Sequence, residues 1–494
     1  MQSTSTPCRG CAADIQGDFP FRSSGGTIVT NTTDATIADA AGATAAGITE
    51  AQAEAVELTR RLIRFDTRNN GDGTCNERPA AEWAAERLRE VGIEPTLSES
   101  APNRAILVAD IPGADPSLPT LLIHGHLDTV PANPDDWSVD PLAGVVQPDE
   151  DGIECVWGRG AVDMKNMVAM SLAAIRSLVR RGVTPRRNVR FVLLPDEEAG
   201  GHLGSDWVAE HRPDIFANIG FVISETGGFS DYVDGRRVYY VQVGEKGVQW
   251  FRLDARGTQS HGSQINHDNA VVRVAKAATR IADYRWSADL NPVTRALLGG
   301  LDRIVNKRDG EVADGDLYSD GNVRKLIDAA GATKPWIASS LSNTFNVSSI
   351  DAGSTVNIVP AKASALVDGR ALPGREDVVF GKLKELAGDG IDISPIHRSN
   401  GYLIDPNGEL FTGITRVLRE LDPDAVVLPF LSSGGTDSKA VVQLNPGAQS
   451  CGFIPLLVPQ GFSYIAQFHG IDERVPVQAL HFGEQALERF IATF

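Results

Sequence analysis

Apolar positions along this chain of 494 residues follow two rhythms. The first is helical. Ala53, Val56, Leu58, Leu62 and Ile63 recur at helical spacing just after Thr49. The segment 80–91 repeats the pattern and stops at Gly92, a residue suited to a helix C-terminus. The segment 164–179 keeps one apolar face through Val168, Leu172, Ile175 and Val179. The second rhythm is the short unbroken apolar run, at 121–123, 189–194 and 221–223. Short runs alternating with helices predict strands buried on both faces, hence an α/β fold with a mostly parallel sheet covered by helices.

The pattern changes after Gly247. Strand patterns at 248–255, 341–347, 357–372 and 392–397 alternate with helical ones at 269–281 and 377–386. The order β-α-β-β-α-β is that of a ferredoxin-like α+β unit. We read it as a second domain over 248–398, inserted in a first domain made of 48–247 and 399–494. To the latter belong a helical stretch at 411–421 and an apolar run at 425–431. Residues 290–340, rich in Gly and Asp, fit no element of this scheme.

Composition narrows the classes. The net charge is −18, without a Lys/Arg-rich block or interleaved basic and aromatic residues. Nucleic acid and anionic membranes are therefore poor partners. Cys8, Cys11, Cys75, Cys155 and Cys451 are few, scattered and odd in number, which argues against a disulfide framework and for a reducing compartment. The Cys8–Cys11 pair has no second pair to complete a metal site, and we read it as incidental. No basic segment leads into an apolar core at the start, and no run reaches the ~18 apolar residues of a membrane span. A cytoplasmic protein with a Thr/Ala/Ser/Gly-rich mobile extension over 1–47 is expected.

The chemistry sits where the runs end. His126 and Asp128 follow the first run, Glu197 and Glu198 the second, Glu225 the third. Asp163 stands at the mouth of a helix after Gly158-Arg159-Gly160, and His469 lies near the C-terminus. Ligands of open α/β sheets bind beyond the carboxyl ends of strands, so these residues can converge at one side of the sheet. Two histidines and several carboxylates there suit two divalent metal ions and hydrolysis. His124 lies inside its run as a packed strand residue, and His202, His211, His267, His397 and His481 match no ligand position. Ser432 and Ser433 lack a nucleophile elbow, and Gly158-Arg159-Gly160 lacks the third glycine of a dinucleotide loop.

These segments carry a resemblance. The chain resembles the aminoacylase/carboxypeptidase family of zinc metallopeptidases, which includes glutamate carboxypeptidase, succinyl-diaminopimelate desuccinylase and acetylornithine deacetylase. The matching stretches are 124–131, 158–165, 196–200, Ser224-Glu225, 257–263, 357–370, 433–437 and His469, in family order. The resemblance implies a di-metal catalytic domain with an inserted lid and dimerisation domain, hence a homodimer. It implies that Asp163 bridges two zinc ions, with His126 and Glu225 on one and Glu198 and His469 on the other. Glu225 stands where family members carry Asp or Glu, so cobalt or manganese stay alternatives to zinc.

Asp128, too close to His126 to be a separate ligand, would orient its imidazole. Glu197 would be general base toward a metal-bridging water attacking an amide. His261 would reach a neighbouring subunit's site and stabilise an oxyanion. Asn357 and Arg370, with Lys246 behind them, would face a substrate carboxylate; for Arg370 an ion pair with Asp368 or Asp377 is the alternative. Gly434 and Gly435 would bring backbone close to the substrate. The implied substrate is an N-acyl amino acid or small peptide. The alternatives are a desuccinylase, deacetylase or ureido-acid amidohydrolase on the same scaffold, or a catalytically silent ligand-binding relative.

Overall fold

The computed structural model describes residues 47–494 except Asp309 and Glu311. The expected extension before Gly47 and the Cys8–Cys11 pair lie outside the described residues. The first described helix opens on a capped N-terminus. Thr49 caps the helix Glu50–Ile63, its hydroxyl accepting from the Gln52 amide at 3.2 Å while the Gln52 side chain accepts from the Thr49 amide at 2.8 Å. Removing the cap by Thr49→Ala is expected to lower the unfolding free energy by about 1 kcal/mol, read by urea denaturation.

The apolar runs are strands of one ten-stranded sheet. At its centre Val189–Leu194, Thr120–His126, Ile219–Ser224 and Gln449–Gly452 lie side by side and parallel. Thr96–Ala101 and Arg104–Ile111 continue it antiparallel on one flank. Arg236–Glu245 continues it on the other and also pairs with Val426–Ser432. Alternate residues of each run point to opposite layers. Leu121, Ile123, Phe191, Leu193, Phe221 and Ile223 meet the helices Glu50–Ile63, Lys165–Arg180 and Val477–Thr493. Leu122, Val192, Leu194 and Val222 meet Val208 and Val441 of the helices Ser205–His211 and Ser438–Leu444. Burial on both faces is what makes these strands apolar without alternation.

A separate four-stranded antiparallel sheet runs Thr344–Ala352, Lys362–Ala371, Gly247–Arg256, Ile391–Arg398. The helices Ala270–Asp283 and Glu376–Ala387 pack their apolar side chains on it. Two strands differ from expectation. The one expected at 341–347 begins at Thr344, because Leu341 still caps the helix Lys334–Ser340. The one expected at 357–372 is broken at Pro360, which offers no N–H to a ladder; Ile358–Val359 pairs instead with Ser260–His261.

The unexplained stretch 290–340 is helical. Pro292–Val305, Asp320–Ala329 and Lys334–Ser340 send Leu297, Leu298, Leu301, Leu326 and Ile337 onto Val238, Tyr240, Leu428 and Phe430 of the large sheet. Gly300 is needed at that contact, since a Cβ there would stand 2.2 Å from Leu428 Cδ2. Among the described residues no helix is long and apolar enough to cross a membrane.

Candidate metal centre and adjoining cavity

Parallel pairing brings the strand ends together. His126 is level with Leu194 in one register and Ile123 with Ile223 in the other, so His126, the Glu197-Glu198 turn and Glu225 emerge on the same side. Asp163 arrives from the loop before Lys165–Arg180, and His469, with a left-handed backbone (φ 57°), from the loop before Arg474–Pro476. Asp163 lies between the two histidines. Its Oδ1 is 3.2 Å from His126 Nε2 and its Oδ2 3.2 Å from His469 Nε2. Glu198 Oε2 lies 3.2 Å from His469 Nε2, and Glu225 Oε2 3.7 Å from His126 Nε2.

The tightest three-residue groupings cut across that division. Ligand atoms of His126, Asp163 and Glu198, and of His126, Glu197 and Glu225, lie within 4.8 Å of one another. Glutamate carboxylates swing on three torsions, whereas Asp163 is short and its amide is held at 3.1 Å by Glu473.

The surroundings aim these groups. His126 Nδ1 is 3.0 Å from the Asp128 carbonyl, a contact that orients the ring and turns Nε2 toward Asp163. Asp128 was expected to orient the His126 imidazole. Its carboxylate lies 3.6 Å from Nδ1 and also accepts from the amides of Glu197 (3.1 Å) and Glu198 (3.2 Å) and from Asn69 Nδ2 (2.9 Å). Asp196, at a left-handed φ of 73°, is locked by Arg104 (2.6 Å), Asn69 (3.1 Å) and the Leu203 amide (2.8 Å). Arg104 in turn pairs with buried Glu77 at 2.9 Å.

Burial sets the electrostatics. It pushes Glu225 up to about 8 and Asp437 up to about 7. Burial and the neighbouring Glu225 charge carry Glu197 well above the carboxylate range. Burial works against a charged His126, yet Asp128, Asp163 and Glu225 together raise it well above its ordinary value. Hydrogen bonds to Asp163 and Glu198 lift His469 to about 10. A buried set of carboxylates that resists common ionisation, faced by two imidazole Nε2 atoms, is the donor chemistry of a divalent cation site. The residues fit such ions.

Beside the cluster a cavity of about 680 Å³ opens between the large sheet and the four-stranded one. Glu197, Glu198 and His469 line it together with Arg370, Gly434 and Gly435. Arg370 holds Asp368 through Nε (2.7 Å) and Nη2 (3.0 Å), so the ion-pair alternative is realised while the residue still borders the cavity. Other expected residues are elsewhere. His261 is exposed and contacts Ser263 Oγ at 2.8 Å. Asn357 is exposed on the same two-stranded ribbon, its carbonyl accepting from the Gly262 amide at 2.8 Å. Lys246 is buried against the Ser342 carbonyl. His124 packs between Ser438 and Ser224, as expected of a strand residue. His202 and His397, without an expected role, are on the cavity wall. So are Asp437 and Lys439, which the sequence reading passed over although Asp437 ends the Ser-Gly-Gly-Thr-Asp motif.

A parallel-centred α/β sheet with a carboxylate–histidine cluster at its strand ends defines a metal-dependent hydrolase class, and the comparisons agree. Residues 122–493 match the model of peptidase family M20/M25/M40, and the chain belongs to that family. It is 24% identical to aminoacylase-1 of Mus musculus over 424 residues, 82% of this chain and 88% of that protein. Over a shorter stretch of 207 residues it is 33% identical to aminoacylase-1 of Sus scrofa, covering 42% of this chain and 48% of that one. It is 26% identical to human N-fatty-acyl-amino acid synthase/hydrolase PM20D1, over 75% and 73% of the two chains. The fold matches an M20 family metallo-carboxypeptidase of Sulfolobus solfataricus with a TM-score of 0.67 at 18% identity, covering 89% of this chain and 98% of the other. It also matches YXEP of Bacillus subtilis, a dinuclear metal binding peptidase of the family, with a TM-score of 0.51 at 14% identity over 90% and 99%.

Proposed function

We propose that the protein hydrolyses the amide bond of N-acyl amino acids or small peptides with two zinc ions. The observation that carries this reading is Asp163 reaching both His126 and His469 with separate oxygens, beside a cavity lined by Glu197. Asp163 would be the shared ligand, with His126 and Glu225 holding one ion and Glu198 and His469 the other. Bound there, such ions supply Lewis acidity to the amide carbonyl and to an attacking water. Glu197 takes the water's proton on its carboxylate and returns it to the departing nitrogen, while Gly434 and Gly435 bring backbone close to the substrate. The similarity to aminoacylase-1 and to an N-fatty-acyl-amino acid synthase/hydrolase supports acyl amino acids as the substrate class. The four-stranded sheet, within 248–398, acts as a lid over the cavity and as the dimer surface through the exposed His261–Asn357 ribbon, where each copy offers His261 to its partner's site.

The test is elemental analysis of the purified protein with turnover of a panel of N-acetyl, N-succinyl and N-carbamoyl amino acids and dipeptides. About two zinc ions per chain and activity abolished by a chelator and restored by zinc are expected. A protein that binds no divalent ion and turns over nothing after zinc, cobalt or manganese is added would refute it. A best substrate with a succinyl or carbamoyl group would redirect it to the desuccinylase or ureido-acid reading.

A further inference from the structure

We propose that Trp336, carried by the helical stretch 290–340, is a positioning residue for His469, an assignment that rests on the metal-site reading above. His469 is accurately placed with little to hold it. Its side chain keeps 54% of its surface exposed and its backbone is left-handed, yet Nε2 lies 3.2 Å from both Asp163 Oδ2 and Glu198 Oε2. The Arg159 guanidinium reaches its carbonyl only at 3.5 Å. An imidazole so exposed is not fixed by its own packing, so the constraint comes from the chain behind it. Phe468 supplies that constraint. Its ring lies 5.4 Å from Trp336 and 5.5 Å from Tyr464. Trp336 also stacks on Phe430 at 5.9 Å and meets Phe229 edge-on at 5.8 Å, and Phe229 lies 4.9 Å from Tyr464.

Trp336 joins two packed layers. It packs on the apolar side chains that the helices of 290–340 share with the large sheet, and on the main core as well. Tyr464 extends the same aromatic group to the other metal loop. Its hydroxyl accepts from Asn166 Nδ2 at 3.2 Å and lies 3.5 Å from the carbonyl of Val162, the residue before Asp163. One turn beyond Trp336 on the helix Lys334–Ser340, Ser339 Oγ lies 3.1 Å from Ser433 Oγ, just before Gly434 and Gly435 on the cavity wall. This one helix therefore touches two of the loops that face the cavity. An indole is a large, stiff plane, so it passes on position where a flexible aliphatic side chain would yield. The stretch that fitted no expected element thus has a task, as the buttress behind His469.

The experiment compares the wild type with Trp336→Leu, Trp336→Phe and Leu297→Ala, the last emptying the same helical layer away from Phe468. Hydrogen exchange of the metal-free proteins, followed by mass spectrometry, is the first readout. Amides of 464–470 should exchange about 10-fold faster in Trp336→Leu than in Leu297→Ala, and Trp336→Phe should recover part of the protection. Zinc competition against a chelator is the second. In Trp336→Leu the ion assigned to His469 and Glu198 should bind about 10- to 100-fold more weakly while the other is unchanged. Leu297→Ala should lose stability to urea and keep both affinities. Unchanged exchange at 464–470 in Trp336→Leu, an equal change in Leu297→Ala, or faster exchange with both zinc affinities intact overturns the role of Trp336 and leaves the metal reading standing. A wild type that binds no divalent ion overturns the metal reading alone, since the exchange comparison decides the role of Trp336 without metal.

Discussion

Replacing Glu197 by Gln is expected to lower kcat about 10³-fold while the zinc content stays at the wild-type value. The structure makes this substitution a clean probe. Glu197 is held by its backbone, through the Asp128 carboxylate at 3.1 Å, so an isosteric amide stays in the same turn and keeps its view of the cavity. What the amide loses is the ability to take a proton. Glu198→Gln is the matched control, because its carboxylate, 3.2 Å from His469 Nε2, is in the proposed ligand set and its loss should lower both activity and metal affinity. The informative alternative is already visible in the geometry, where Glu197 stands within 4.8 Å of ligand atoms of both His126 and Glu225. If Glu197→Gln releases metal as readily as Glu198→Gln, Glu197 is a ligand, and the base must be sought elsewhere in the cavity. Metal analysis of the two variants beside their turnover decides this.

The parts of the molecule legible in the sequence are those where one physical cause dominates. Runs such as 189–194 read as strands because both faces are buried, and the helix Glu50–Ile63 was visible in its apolar stripe. His126, Glu198 and Glu225 could be picked out because each follows a buried strand, and strand ends are where a parallel sheet exposes chemistry. The stretch 290–340 hid its helices because Gly299-Gly300 reads as a breaker, and Gly300 is there only to admit Leu428 from a strand more than a hundred residues later. His261 and Asn357 are joined to each other through their ribbon but not to the cavity, a distinction carried by chain geometry that no local pattern encodes. Asn69, Arg104 and Glu473 escaped for a different reason. They act by hydrogen-bonding neighbouring backbone and side chains, which leaves no periodicity and no motif of its own.

Glu473 carries the second large expectation. It has no exposed surface and uses both oxygens to gather the loop that ends in Asp163. Oε1 accepts from the amides of Val162 (2.6 Å) and Asp163 (3.1 Å). Oε2 accepts from the Gly160 amide (3.1 Å) and from Arg159 Nη1 (2.7 Å), whose guanidinium lies over the Trp137 ring at 5.0 Å. Four donors converge on one buried carboxylate, four residues after His469, so a single side chain ties both metal-site loops together. Glu473→Gln keeps the shape but turns an acceptor into an NH2 donor facing other donors, and leaves the buried Arg159 charge uncompensated. Breaking a buried pair in this way costs about 3–5 kcal/mol of unfolding free energy. With the Asp163 amide released, metal affinity should fall about 10- to 100-fold as well, the usual effect of losing a group that orients a ligand. Urea denaturation of the metal-free variant measures the first effect, and zinc competition against a chelator the second. The double variant Arg159→Met/Glu473→Gln separates the two. Removing the stranded charge should restore much of the stability, yet metal binding should stay weak, because the loop amides still lack their acceptor. Full recovery of both would mean that Glu473 exists to neutralise Arg159 and that Asp163 is placed by other contacts.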